Sequence, residues 1–585
     1  MRIFRFLILL STFLLTNIYV GCKSSESTQD KSNIVAKYDG GHTVTTNELY
    51  KFAEDWLYFY KFKNKSDALS NALNDLLVDQ FKRMDFFEKG LDKDEKLIQG
   101  INRIINEELV TYYFNKEYIG KYVNEEYAKK IYKITDKQVI AKQIVLNKPD
   151  SGATQAQINS VKEKALKIKS ELDNGSNFDS LVIKYSQDKQ SLQNNGYMPP
   201  VGWKQSIIDP LGNVIFSLNK NDVRVLNDNN AFRIVKIVEI NKVPVEPFDK
   251  IKKDIMSYLK NGYYQTSIDE YEKDAKGLID KNSLKWNESA IKQIIKWSDE
   301  PNFYKGKYEE TFKNALANDN NKTILTYNKG IVDYKEYLRL LDNILILPSS
   351  TNNLKEDDLK KFILEAIRTD LIVKKADSLD LKKNIFNPFT ENPALKYQLV
   401  ILYNKAEIDA KIPDTTDEAL HKFFKENENT MYYQLEKRNI FEMVFPNRDE
   451  AENASKKIKQ GIPFEKVTGR YFVWTYIKDR NGEIKSYQDG EKPVFGEIAF
   501  KMKESEISEP ISFEDENNQT KYAILKCFRI RPEKQLTYND VKNSITEDFK
   551  NYYRKIIAND VEKELKNKYH PEIFEDVLKQ MLSSK

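Results

Sequence analysis

The sequence predicts an α+β multidomain protein: two small antiparallel sheets with attached helices, carried on helical arms and written twice in tandem. Three observations predict it. The chain has 585 residues, too many for a single hydrophobic core. Long stretches such as "EKLIQGINRIINEELVTYYF" and "EDDLKKFILEAIRTDLIVKKA" place apolar residues at three-to-four spacing with charge on the other face, the pattern of amphipathic helices. And "FRIVKIVEINKVPVEPFDKIKKDI" (232–255) returns as "YAILKCFRIRPEKQLTYNDVKNSI" (522–545), each passing from an alternating strand through a Pro-containing corner into a helix. A period of about 290 residues is far longer than any solenoid repeat and marks duplication of a domain pair.

The elements follow in chain order. Arg2 and Arg5 precede an apolar run from Phe6 to about Leu15, and small Gly21 stands before Cys22, the architecture of an export signal over 1–21. The run is short for a transmembrane anchor. "YVGC" is similar to the lipobox of bacterial lipoproteins, with Tyr19 where Leu is usual, which implies a lipid on Cys22 and a membrane partner. Residues 22–33, with "KSSESTQDKSN", form a flexible tether. The N-terminal helical arm spans 34–134, opening with "IVAKYDGGHTVTTNELYKF", whose echo "ILTYNKGIVDYKEYLRL" opens the second arm at 322–435. Within the first arm, "DWLYFYKF" (55–62) is either a buried helix or an aromatic patch for client chains.

A compact mixed domain follows each arm, at 135–243 and 436–532; a returning helical segment spans 244–321 and a C-terminal helix 533–585. The first domain begins with the strand "VIAKQIVLN", then a helix ended by "DNG" and a second opened at Ser176 or Asn177; the second domain begins at "RNIFEMVF". Gly175 and Gly461 each end a helix about three residues before a core-facing Phe, Phe178 or Phe464.

Strand, helix, "G.NF..L...YS.D", "F.L...DV" and a closing "FRIVKI" strand, in that order, resemble the parvulin family of peptidyl-prolyl isomerases, and the flanking arms extend the likeness to extracytoplasmic foldases of the SurA and PrsA kind. The resemblance implies a peptidyl-prolyl isomerase whose clients are unfolded or exported polypeptides with X-Pro segments, working outside the cytoplasm. It places Gln143 at the family's first-strand His, Asp188 at its active-site Asp or Cys, and Arg233 at its closing-strand His. Met198, Ile207 and Leu211 fall at prolyl-pocket positions and Phe216 at the following core Phe. In the second copy Glu442 and Ala523 take the two His positions, which implies a domain that binds without catalysing. All three histidines, His42, His421 and His570, lie outside both segments.

Read as residues alone, Asp188 is equally an Asx-type turn residue, Gln143 an ordinary strand residue, and the apolar positions plain core. Isomerisation breaks no covalent bond and needs no general acid or base, so Gln143 can orient Asp188; Arg233 is the harder departure, a long cation able to pair with Asp188 and fill the pocket. The alternative is a catalytically silent chaperone or assembly scaffold of the cell envelope.

Other chemistries lack their motifs. The 93 basic and 89 acidic residues are interspersed, with no nucleic-acid footprint. No glycine-rich phosphate loop, no GxSxG elbow and no metal-ligand spacing appears, so no cofactor and no metal are expected. Cys527, without a partner, reads as a buried small hydrophobe.

Overall fold

A computed structural model describes residues 33–583, apart from 63, 150–152, 301–306, 319–320, 344–353, 468–469, 479–483, 487–492 and 516. The signal, Cys22 and nearly all of the tether therefore lie outside the described residues. No helix among the described residues is long and apolar enough to cross a membrane. The described residues form two compact units, one of those up to 81 with those from 403 onward, the other of those within 82–402.

In the unit of 82–402, the first mixed domain is a three-stranded antiparallel sheet. The strand Ala231–Lys242 is central, between Lys137–Asn147 and Val223–Asn227. One sheet face buries Ile144, Leu146, Phe232 and Ile234 against the helices Gln155–Asp173 and Phe178–Tyr185. The first of these helices is started by a Thr154/Gln157 capping box and the second by the Asn177 side chain. Gly175 lies between them at φ +91°, left-handed backbone that ends the first helix, and Phe178 is buried in the same core.

The long helix Phe248–Gly277 leaves this domain and packs on Glu125–Tyr132 and on a π-helical turn at Asn115–Ile119. Tyr118 donates to Asp274 at 3.0 Å and Tyr122 to Glu270 at 2.5 Å, and the rings of Tyr122 and Tyr263 stack at 4.5 Å.

In the other unit, the second mixed domain has five strands in the order Ile484–Ser486, Arg470–Lys478, Lys437–Phe445, Thr520–Arg531, Ile511–Glu514. Gly461, at φ +93°, and the buried Phe464 repeat the helix stop and core anchor of the first domain. The aromatic stretch of the first arm divides: Tyr58 is buried and donates to Asp75, whereas Trp56, Leu57 and Tyr60 are 45%, 55% and 87% exposed.

The two arm hairpins are completed crosswise. The hairpin Ile34–Tyr38/His42–Thr45 gains its third strand from Glu572–Ile573, with Ala36 opposite Ile573, and the Phe574 amide donates to the Val35 carbonyl at 2.9 Å. Its counterpart Thr323–Tyr327/Gly330–Asp333 gains Lys285–Trp286, with Leu325 opposite Trp286, and the Asn287 amide donates to the Ile324 carbonyl at 2.9 Å. The tail of each copy thus closes the hairpin of the other. A map of consecutive segments does not contain this exchange.

Candidate functional site

Register places the polar residues of the site. Gln143 lies opposite Val235 and Val145 opposite Arg233 in the antiparallel pair, so Gln143 and Arg233 are diagonal neighbours on one face. That face is opposite to the one carrying Ile144 and Ile234, because strand side chains alternate. The Arg233 guanidinium donates through Nη1 to Gln143 Oε1 at 2.8 Å, and Gln143 Nε2 donates to Ser191 Oγ at 3.2 Å. Ser191 Oγ in turn donates to Asp188 Oδ2 at 2.6 Å, and the Ser191 amide reaches the same oxygen at 2.8 Å.

Arg233 is held from its other side. Its Nε donates to Asp228 Oδ2 at 2.5 Å, while the second oxygen of Asp228 accepts the amides of Asn230 and Ala231 at 2.8 and 2.7 Å. Arg233 therefore pairs with Asp228 and not with Asp188. An unbroken line of hydrogen bonds runs Asp228, Arg233, Gln143, Ser191, Asp188.

The charges are settled by these contacts. The Ser191 hydroxyl bond holds the Asp188 carboxyl below the usual carboxylate range; burial opposes it, and the Ser191 amide and the Arg233 charge assist. For Asp228, burial is the largest influence and pushes upward, but the Arg233 bond and the two amides outweigh it and leave the carboxyl lowered. Asp188 also caps the helix Lys189–Gln193, so its turn role and its place in the line coexist.

The apolar half of the site lies on the same sheet face. Phe216 joins Val139, Ala141, Val201, Ile215, Leu218, Val235 and Ile237 in one buried cluster, with Met198, Leu211, Trp203 and Leu226 half-buried against it. Ile207 does not join them; it packs on the helix Phe248–Gly277 beside Ile255 and Leu259.

Met198 is brought in by a strap along the outer edge of the first strand. The Gln143 amide donates to the Gly196 carbonyl at 2.7 Å, the Met198 amide to Ala141 at 3.0 Å, and Val139 and Val201 exchange bonds at 2.9 Å. Gly196 is required there. Its φ is +81°, and a Cβ would stand 2.8 Å from Val182 Cγ2 and 3.0 Å from the Gln143 carbonyl oxygen.

Two residues escaped the sequence reading. Ser191 carried a signal, since an Asp followed three residues later by Ser is a helix-cap spacing. Asp228 sits in the polar turn "NDNN", which looks like any solvated corner.

The second domain repeats the register: Glu442 faces Leu525 and Val444 faces Ala523, so these are the places of Gln143 and Arg233. Glu442 is fully buried, and Ala523 has no side chain to continue a polar line. Ala523, Leu525, Cys527 and Ile440 pack with Phe495, Ala499 and Met502. Cys527 is buried, and burial pushes its thiol up. His421 lies on the helix Asp417–Asn427, stacked on Tyr538 at 3.8 Å, away from either position.

Comparison with known proteins agrees with this geometry. Residues 127–241 match the model of the PPIC-type PPIase domain, and residues 415–543 match a second model of the same description. A parvulin-like PPIase of Rickettsia typhi is 24% identical over 239 residues, covering 39% of this chain and 80% of that protein. The foldase protein PrsA of Caldanaerobacter subterraneus is 26% identical over 193 residues, 32% of this chain and 58% of that one. A solved structure described as a SurA-like chaperone of Campylobacter jejuni shares 19% identity, covering 42% of this chain and 98% of that one at a TM-score of 0.15.

Both mixed domains are thus parvulin-type domains of the peptidyl-prolyl isomerase class. The chain carries two such domains and, over about a third of its length, is similar to the foldase protein PrsA.

Proposed function

We propose that the first domain is the isomerising one, and that it acts on X-Pro segments of exported client polypeptides outside the cytoplasm. One observation carries the reading: the polar line from Arg233 through Gln143 and Ser191 to Asp188 borders the apolar cluster of Met198, Leu211 and Phe216 on a single sheet face. A proline ring seated on that cluster is shielded from water, which favours the less polar, twisted amide of the transition state over the planar one. The barrier to be lowered is about 18–20 kcal/mol. Hydrogen-bond donors at the rim serve the twisted amide, and no proton needs to be transferred. A protease-coupled assay of the full mature chain on a prolyl peptide tests this. Acceleration that falls in an Asp188→Ala, Gln143→Ala double variant is expected, and a wild-type rate equal to the uncatalysed one sinks the proposal.

Membrane attachment through a lipid on Cys22 belongs to the same reading, supported by the signal architecture. Cys22→Ser is expected to move the protein from the detergent phase to the aqueous phase on phase separation; unchanged partitioning removes the anchor.

A second reading applies to the second domain alone. Glu442 and Ala523 favour a module that binds client chain without isomerising it. Deleting the polar line of the first domain should then lower the isomerase rate of the chain while suppression of client aggregation persists; a rate that falls as far in Glu442→Gln would assign catalysis to the second domain as well.

A further inference from the structure

The seam between the first parvulin domain and the helix Phe248–Gly277 is closer than side chains ordinarily allow. A Cβ at position 262 would stand 2.5 Å from both the carbonyl oxygen and Cγ2 of Ile207. Real Cβ atoms do not approach backbone oxygen so closely, so only glycine admits the helix Trp203–Ile208 to this seat. Around it, Trp203 meets Tyr258 edge to face at 5.3 Å, and Lys204 Nζ lies 5.1 Å from the Tyr258 ring centre.

That short helix is tied to the prolyl pocket. Asn213 donates to the Ser206 carbonyl at 2.7 Å, and Asp209 accepts the amides of Leu211 and Gly212 at 3.1 Å each. Gly212 is pressed against the same helix, since a Cβ there would stand 2.7 Å from the Gln205 carbonyl oxygen. Trp203–Ile208 and Pro210–Ser217 therefore move as one corner, and the second of them supplies Leu211 and Phe216 to the pocket. Trp203 touches both the pocket cluster and the arm cluster.

We infer that Gly262 and Ile207 are positioning residues for the prolyl pocket, so that the arm helix sets the place of Leu211 and Phe216. The inference rests on the proposed isomerase reading of the first domain. Displacing the corner by the tenths of an ångström that a methyl group demands shifts the floor on which the proline ring lies, with no group of the polar line altered.

The test uses the full mature chain carrying Gly262→Ala, with Gly277→Ala on the same helix as control, because a Cβ at 277 meets nothing within 4 Å. Gly262→Ala should raise KM for a prolyl peptide about tenfold with kcat little changed, as expected for a misplaced binding surface, and the crowding should also lower the melting temperature. Gly277→Ala should stay within about twofold of wild type. Ile207→Ala, which empties the seat without crowding it, should raise KM in the same direction and guards against failure of the first variant to fold. Unchanged KM in both seat variants, or an equal rise in the control, overturns the inference. If the wild type shows no isomerase activity, the proposed function fails, and amide exchange of residues 211–217 decides the positioning claim separately. Faster exchange in Gly262→Ala but not in Gly277→Ala supports it, and identical exchange ends it.

Discussion

Gln143 and Arg233 in the first domain, and Glu442 and Ala523 in the second, occupy the same two diagonal places of the same antiparallel strand pair. In the first domain both places hold long polar side chains, and the flanking turns have supplied them with partners, Asp228 on one side and Ser191 with Asp188 on the other. In the second, one place holds a buried carboxylate and the other a methyl group. The edges differ too. The first domain is finished by a strap that depends on Gly196, the second by a full strand, Arg470–Lys478, paired over its length. The fold tolerates both, because the opposite sheet face, with its helix, glycine stop and phenylalanine, carries the packing in each. The divergence lies at the two diagonal places and along the outer edge of the first strand.

The largest effect should come from the edge. Gly196→Ala places a Cβ against Val182 and the Gln143 carbonyl in left-handed backbone, at an expected loss of about 2–4 kcal/mol. Amide exchange should quicken across 137–242 and remain unchanged across 437–531; uniform quickening would mean that the two domains share their stability.

Next, Arg233→Ala leaves the Asp228 carboxylate without its cation and Gln143 without its donor, which should cost the first domain about 1–3 kcal/mol and lower its isomerase rate. Urea titration followed by the Trp203 signal measures the first and the peptide assay the second. Arg233→Lys, lacking the two-sided fork, should restore little of either.

A third contrast concerns protons. The polar line contains Asp, Arg, Gln and Ser and no group that titrates near neutrality, so kcat/KM should be flat between about pH 5 and 9. Gln143→His with Arg233→His should introduce a step near about 6.5, the ordinary imidazole value. A wild-type step there would point to a titrating group outside the line.

Smaller still is the acid limb. Asp188 and Asp228 titrate lower in the folded domain than their ordinary value. Their ionised forms therefore favour the fold: the contribution is present above about pH 4 and is lost as pH falls through the lowered values. Asp188→Asn should shrink the stability difference between pH 6 and pH 3 in denaturant titrations; an unchanged difference would mean that this carboxylate adds nothing to the acid limb. Glu442→Gln, at the other end of the scale, should leave the isomerase rate of the whole chain within about twofold; a larger fall would make the second domain a catalyst.

What the sequence made legible followed local rules. Gly175 with Phe178, and Gly461 with Phe464, are each a helix stop and a core anchor within four residues, and both stand where the spacing predicts. The alternation of Phe232 and Ile234 puts Arg233 on the strand face opposite to theirs, although both faces are covered, Val235 and Ile237 being buried beside it. Contacts between turns and strands were not legible. Arg233 is near Asp228 because a tight turn folds back on its own strand, and Asp188 reaches Gln143 only through Ser191, a residue of the short helix that Asp188 caps. Ile207 shows the reverse failure. It stands at a pocket position by order along the chain, yet Gly262, more than fifty residues later, draws it to another surface.

The crosswise completion of the arm hairpins has a consequence for synthesis. Ile34–Tyr38 is made early, while the strand that covers its open edge, Glu572–Ile573, is made almost the whole chain later. At about 5–20 residues per second, that edge waits on the order of half a minute or more. Throughout that interval the newborn protein exposes a bare row of backbone donors and acceptors of the kind that seeds aggregation.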